Sequence, residues 1–204
     1  MTRMKLCGLT RAEDIEAVNE LLPEYIGFVF ARKSRRYVSP QKAAGWRPIL
    51  LPDIKVVGVF ADEKPGVIAE MLNDGIIDLA QLHGNEDAEY IRQLRRFTGR
   101  LSRDWLIQAF RIDDSEDIAG ARDSIADYIL LDSGSGGTGT TFDWNMVKGV
   151  DRPYFLAGGL NARNVGEAID TLKPYAVDVS SGIETDGIKD KAKMAAFAAV
   201  VRRK

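Results

Sequence analysis

The 204-residue sequence holds a single cysteine, Cys7, and a single histidine, His83. One cysteine forbids an intrachain disulfide, and with one histidine beside it a zinc site lacks its usual thiolate and imidazole ligands. No metal is expected. No apolar run approaches the ~20 residues of a membrane-spanning helix. The opening Met-Thr-Arg-Met-Lys-Leu-Cys lacks the apolar core of a signal peptide, and no Asn-x-Ser/Thr acceptor occurs. Neither sign of charge dominates: 28 Lys and Arg face 30 Asp and Glu, for a net charge of −2. The basic footprint of a nucleic-acid binder is missing. Together these absences describe a cytoplasmic protein with neither nucleic acid nor membrane as partner.

A composition of 45% hydrophobic and 28% charged residues is that of a globular chain. Short apolar runs rich in β-branched and aromatic residues predict strands at Met4–Cys7, Tyr25–Phe30, Lys55–Phe60, Asp78–Leu82, Trp105–Phe110, Tyr128–Asp132, Tyr154–Ala157 and Ala176–Ser180. Their near-continuous apolar character suits strands covered on both faces. Helical spacing predicts helices between them at Glu13–Leu22 (with Thr10 as N-cap), Pro40–Trp46, Pro65–Asn73, Glu86–Phe97, Ser115–Arg122, Asp143–Val147, Asn161–Leu172 and Lys189–Val201.

Eight β-α units of about 25 residues predict a parallel sheet with right-handed crossovers. The fold expected is a (β/α)8 TIM barrel with short helices and loops, and an open doubly wound sheet is the alternative. No linker or shift in composition divides the chain, so residues 1–204 read as one catalytic domain. The sequence sets no oligomeric state.

In such a barrel function lies at the C-terminal ends of the strands. Cys7-Gly8 ends the first. Gly158-Gly159 and Ser180-Ser181-Gly182 follow strands 7 and 8, the usual place for a phosphate held by backbone N–H groups. Cys7 is an inert apolar filler or a general base. Asp132, closing an apolar strand, suits a general acid or a turn cap. His83 is a second candidate base, a substrate contact or a turn residue. Asp178 shares the interior face with Ser180 and serves substrate or structure. Gly134-Ser-Gly136-Gly137-Thr-Gly139 matches G-x-G-x-x-G, but a long helix and a later acid are missing, which argues against NAD. The Arg32-Lys33-Ser34-Arg35-Arg36 loop is solvated surface unless one arginine grips a carboxylate. Arg92, Arg95, Arg96, Arg100 and Arg103 read as solvated surface.

Several motifs, running in order along the whole chain, resemble those of the phosphoribosylanthranilate isomerase family. They are Lys5-Leu-Cys-Gly-Leu-Thr10, Gly27-Phe-Val-Phe30, Arg36-Tyr-Val-Ser-Pro40, Val57-Gly-Val-Phe60, Gln81-Leu-His-Gly84, Leu131-Asp-Ser133, Gly136-Gly-Thr-Gly139 with Phe142-Asp-Trp144, Leu156-Ala-Gly-Gly-Leu160 with Asn164-Val165, and Asp178-Val-Ser-Ser-Gly-Ile-Glu184 with Gly187 and Lys189-Asp190. The resemblance implies a cofactor-free Amadori rearrangement of a phosphosugar, N-(5-phosphoribosyl)anthranilate, in tryptophan biosynthesis. It also implies Cys7 as general base, Asp132 as general acid, Arg36 at the anthranilate carboxylate, and the Gly158-Gly159 and Ser180-Ser181-Gly182 loops at the phosphate. His83, Gly136, Gly137 and Asp178 remain as further substrate contacts. The family usually reads Ser-Pro-Arg where this chain has Ser34-Arg35-Arg36. The Tyr37-Val-Ser-Pro40 that follows in register favours Arg36 over Arg35. The histidine-pathway sugar isomerase places an aspartate where this chain has Cys7, and indole-glycerol-phosphate synthase needs catalytic lysines not found on strands 2 and 3. The alternative reading is a catalytically silent phosphosugar-binding barrel.

Overall fold

The computed structural model describes residues 1–100, 102–132, 147 and 149–204. Eight parallel strands close into a barrel: β1 (Arg3–Cys7), β2 (Tyr25–Val29), β3 (Lys55–Phe60), β4 (Leu79–Leu82), β5 (Leu106–Arg111), β6 (Tyr128–Asp132), β7 (Tyr154–Ala157) and β8 (Ala176–Val179). Each strand pairs with the next in sequence. The ring closes where β1 pairs with β8, with Lys5 opposite Asp178 and Leu6 opposite Val179. That pairing excludes the open sheet.

Seven helices join the strands among the described residues: α1 (Ala12–Leu21), α2 (Pro40–Trp46), α3 (Pro65–Asn73), α4 (Ala88–Thr98), α5 (Ser115–Arg122), α6 (Val165–Leu172) and α7 (Lys191–Val201). The Asp143–Val147 helix and the Gly134–Gly139 motif, with Gly136 and Gly137, fall outside the described residues except for Val147.

Four helix starts differ from the periodicity, each where a polar side chain captures free N–H groups, and α4 begins at Ala88 because Asp87 accepts from the Tyr90 N–H at 2.8 Å. Arg11, not Thr10, is the N-cap of α1. Asp14 is buried and accepts from the N–H groups of both Thr10 (2.9 Å) and Arg11 (3.1 Å). α6 begins at Val165 because Asn161 and Asn164 shape a turn ahead of it. α7 begins at Lys191 because Asp190 accepts from the N–H groups of Ala192 and Lys193. Just upstream, β9 (Glu184–Thr185) and β10 (Ile188–Lys189) form a small antiparallel hairpin that the sequence pattern did not disclose.

The core has two compartments. The larger lies between barrel and helices, where Leu6, Ile26, Phe28 and Val56 meet Ile15, Val18, Leu94 and Phe197. The smaller fills the N-terminal half of the barrel with Tyr25, Val57, Leu79, Ile107, Leu130 and Phe155. Tyr25 and Tyr128 stand edge-on to Phe155 at centroid separations of 5.4 and 5.7 Å. The Arg3 guanidinium covers Tyr175 at 4.3 Å. Two of the five clustered arginines are not simple surface. Arg95 binds Asp127 at 2.6 Å, and Arg100 donates to the carbonyls of Asp78 and Leu72. Both tie helix to barrel.

Candidate active site

Successive side chains on a strand point to opposite faces, so alternate residues enter the barrel. Lys5 and Cys7 enter from β1, Gln81 from β4, Asp132 from β6 and Asp178 from β8. His83 and Ser180 continue the pattern just past the ends of β4 and β8. At the C-terminal mouth all of these except the fully buried Lys5 open on a cleft of about 740 Å³, lined also by Arg35, Arg36, Gly158, Gly159, Ser181 and Glu184. Cys7 and Asp132 thus line the same space from strands three pairings apart around the ring. Cys7 is buried, and at Gly27 on the neighbouring strand a Cβ would come within 2.5 Å of its Sγ. Only glycine leaves the sulfur its place.

The loops after β7 and β8 meet at this mouth. Gly158 and Gly159 have φ of +88° and +62°, the left-handed region in which a side chain is strained. The Gly159 carbonyl is held by Asn161 Nδ2 and Asn164 Nδ2. Gly182 does not line the cleft. A Cβ there would lie 1.9 Å from the Leu160 carbonyl oxygen, so the loops touch backbone to backbone. Ser180 and Ser181 stay on the wall.

Two charged networks underlie the cleft. Asp178, His83 and Arg36 are candidates from the sequence, whereas Lys5, Gln81, Glu184 and Lys189 are given no role there. In the first, the fully buried Lys5 Nζ donates to Asp178 Oδ2 and to Gln81 Oε1, each at 2.9 Å. Gln81 Nε2 lies 3.2 Å from His83 Nδ1. An ammonium only donates, so the Gln81 oxygen must face Lys5 and its NH₂ must face His83. His83 Nδ1 is therefore the acceptor, and the neutral ring carries its proton on Nε2. This imidazole presents its Nε2–H to the cleft, as a substrate contact would.

In the second network Arg36 forms a two-pronged pair with Glu184, Nε to Oε1 at 2.7 Å and Nη2 to Oε2 at 2.8 Å. Lys189 Nζ joins it, donating to Glu184 Oε1 at 2.5 Å and to the Ser180 carbonyl at 2.9 Å. Burial alone would raise the Glu184 carboxyl, but hydrogen bonds from Arg36 and Lys189 outweigh it and hold the pKa to about 2. Burial lowers Lys189, with Glu184 opposing. Burial raises the Cys7 thiol, with Lys5 pulling it back down and Asp178 pushing it further up. Among the described residues no cluster of three or more His, Cys, Asp or Glu side chains is suited to a metal ion, and no helix is long and apolar enough to cross a membrane.

The family model for N-(5'phosphoribosyl)anthranilate (PRA) isomerase matches residues 4–200. The chain belongs to this family. The N-(5'-phosphoribosyl)anthranilate isomerase of Thermoanaerobacter sp. (strain X514) is 44% identical over 211 residues, covering 99% of this chain and 98% of that protein. That of Dechloromonas aromatica is 42% identical over 209 residues, covering 99% and 97%. The phosphoribosyl anthranilate isomerase structure from Thermotoga maritima superposes with a TM-score of 0.89 at 34% identity, covering all of both chains. A structure of such an isomerase in complex with reduced 1-(o-carboxyphenylamino)-1-deoxyribulose 5-phosphate gives 0.87 at 35% identity, again over both chains entire. The chain is accordingly an enzyme, an isomerase of tryptophan biosynthesis on a TIM barrel.

Proposed function

We propose that the chain converts N-(5'-phosphoribosyl)anthranilate into 1-(2-carboxyphenylamino)-1-deoxyribulose 5-phosphate, with Cys7 as general base and Asp132 as general acid. The observation that carries this reading is one cleft shared by a thiol, a carboxylate, two arginines and the loops after β7 and β8. Family membership supplies the substrate.

The chemistry runs as proton transfers. Asp132 protonates the furanose ring oxygen, the C1–O bond breaks, and C1 becomes a protonated Schiff base with the anthranilate nitrogen. That positive charge acidifies the C2 proton, which Cys7 removes as thiolate. The resulting enolamine gains a proton at C1 and loses one from the C2 hydroxyl, giving the ketone. Oxidation at C2 balances reduction at C1, so no external redox partner enters the balance. Two positioned groups, each typically contributing ~10²–10⁴-fold, suffice for such a rearrangement.

The remaining side chains orient the substrate. The Gly158-Gly159 loop and the Ser180-Ser181 segment take the phosphate, with Gly182 letting the two loops pack together. Glu184 claims Arg36 through Nε and Nη2 and so aims the Nη1 edge at the anthranilate carboxylate. His83 Nε2–H and Asp178 contact sugar oxygens. A cytoplasmic setting fits this role, because its reducing conditions keep a lone thiol free. The test is turnover of enzymatically generated N-(5'-phosphoribosyl)anthranilate, with growth of a tryptophan auxotroph lacking the isomerase. A purified chain that binds the reduced product but neither turns over nor complements would instead be a silent phosphosugar-binding barrel.

A further inference from the structure

We propose that Lys5 is the positioning residue that sets the proton affinity of Cys7, its ammonium shared between that thiol and Asp178. The proposal rests on the reading of Cys7 as the base. Lys5 stands two residues before Cys7 on β1, on the same barrel wall, and is wholly buried. A buried ammonium is expensive unless its surroundings answer the charge. The neighbouring interior positions are filled by Tyr25, Leu79 and Phe155, so an apolar side chain would suit packing alone. Lys5 has three donors. Asp178 Oδ2 and Gln81 Oε1 take two, which leaves one donor for Cys7, two residues further on along the same wall.

The charges around the thiol then set a competition. Lys5 and Asp178 cancel while Cys7 keeps its proton, and removing that proton adds a second anion to one cation. Asp178 Oδ1 is buried and meets no hydrogen-bond partner among the described residues, so this carboxylate leans on Lys5. Arg36 and Lys189 face the thiol from the loop after β2 and from β10. His83 and Asp132 share its cleft from the ends of β4 and β6. Lys5 and Asp178 act on the thiol with opposite signs, the first favouring the thiolate and the second opposing it.

Because Cys7 is the only cysteine, its alkylation by iodoacetamide can be followed against pH in the full chain. The midpoint of that profile reads proton affinity, whereas the plateau reads access. Lys5→Met should move the midpoint up by about one to three pH units, and Asp178→Asn should move it down. Lys5→Arg should leave it near the wild-type value. The limb of the kcat profile on which activity rises with pH should follow the midpoint in each variant. If Lys5→Met does not fold, as judged by circular dichroism, Asp178→Asn decides alone: a downward shift supports the proposal and no shift or an upward one overturns it. Unmoved midpoints, or shifts of the same sign in both variants, overturn it as well. Full turnover in Cys7→Ala would sink the base reading instead, whatever the midpoints do.

Discussion

Toward the N-terminal ends of the strands the barrel interior is filled by Tyr25, Leu79, Ile107, Leu130 and Phe155. Two residues further along β4, β6 and β8 the same inward positions carry Gln81, Asp132 and Asp178, and β1 brings Lys5 and Cys7. The strands are shared, and the alternation is shared. Only the height along the strand differs. The lower half stabilises by excluding water from aromatic and aliphatic surface, while the upper half keeps buried charges in pairs at an energetic cost. One half should therefore fail in stability when altered, and the other in chemistry.

The sharpest break would come from Cys7→Ala and Asp132→Asn, each expected to lower kcat by ~10²–10⁴-fold while leaving thermal unfolding nearly unchanged. Single-turnover kinetics beside calorimetry would check this, and near-normal rates in either variant would remove that residue from the mechanism. Phe155→Ala should do the reverse. Loss of a fully buried aromatic ring costs about 3–5 kcal/mol, read as a lower denaturant midpoint, with kcat preserved in the fraction that stays folded. A large fall in kcat for the folded enzyme would show that the lower half also tunes the site.

Smaller effects sharpen the comparison within the upper half. Arg36→Lys replaces a planar fork by a point charge and should weaken binding of the reduced product roughly 10- to 100-fold by calorimetric titration. Arg35→Ala should cost less, and the opposite order would assign the carboxylate to Arg35. The smallest effect concerns acid stability. Glu184 has its carboxyl lowered from 4.5 to about 2, so the folded form binds a proton less readily than the unfolded chain. Its contribution is present above pH 4.5 and is lost as pH falls from there through about 2. Denaturant unfolding across that window should be less pH-dependent in Glu184→Gln, and an unaltered slope would show that the Arg36–Glu184–Lys189 group does not govern it.

All eight strands were legible as apolar runs between turn residues, because a strand buried on both faces leaves a pattern in sequence. Helix starts at Ala12, Ala88, Val165 and Lys191 were not, since Asp14, Asp87, Asn164 and Asp190 act through local hydrogen bonds that periodicity does not register. Cys7 and Asp132 stood out as polar residues closing apolar runs, and Asp178 as a charge inside one. Lys5 has the same form but lies one alternation deeper, where a charge reads as a strand beginning at the surface. Its partners are 76 and 173 residues away in sequence, so only the closed ring discloses them. Glu184 and Lys189 sat in a recognised motif without a role, because the hairpin that makes them neighbours of Arg36 is two residues per strand.

The pairing of β1 with β8 places the chemistry across the seam where the first and last strands meet. Lys5 and Asp178 stand 173 residues apart along the chain, so the lysine's charge stays unanswered until the first and last strands of the ring find one another. Closure of the ring and assembly of the site are therefore the same step.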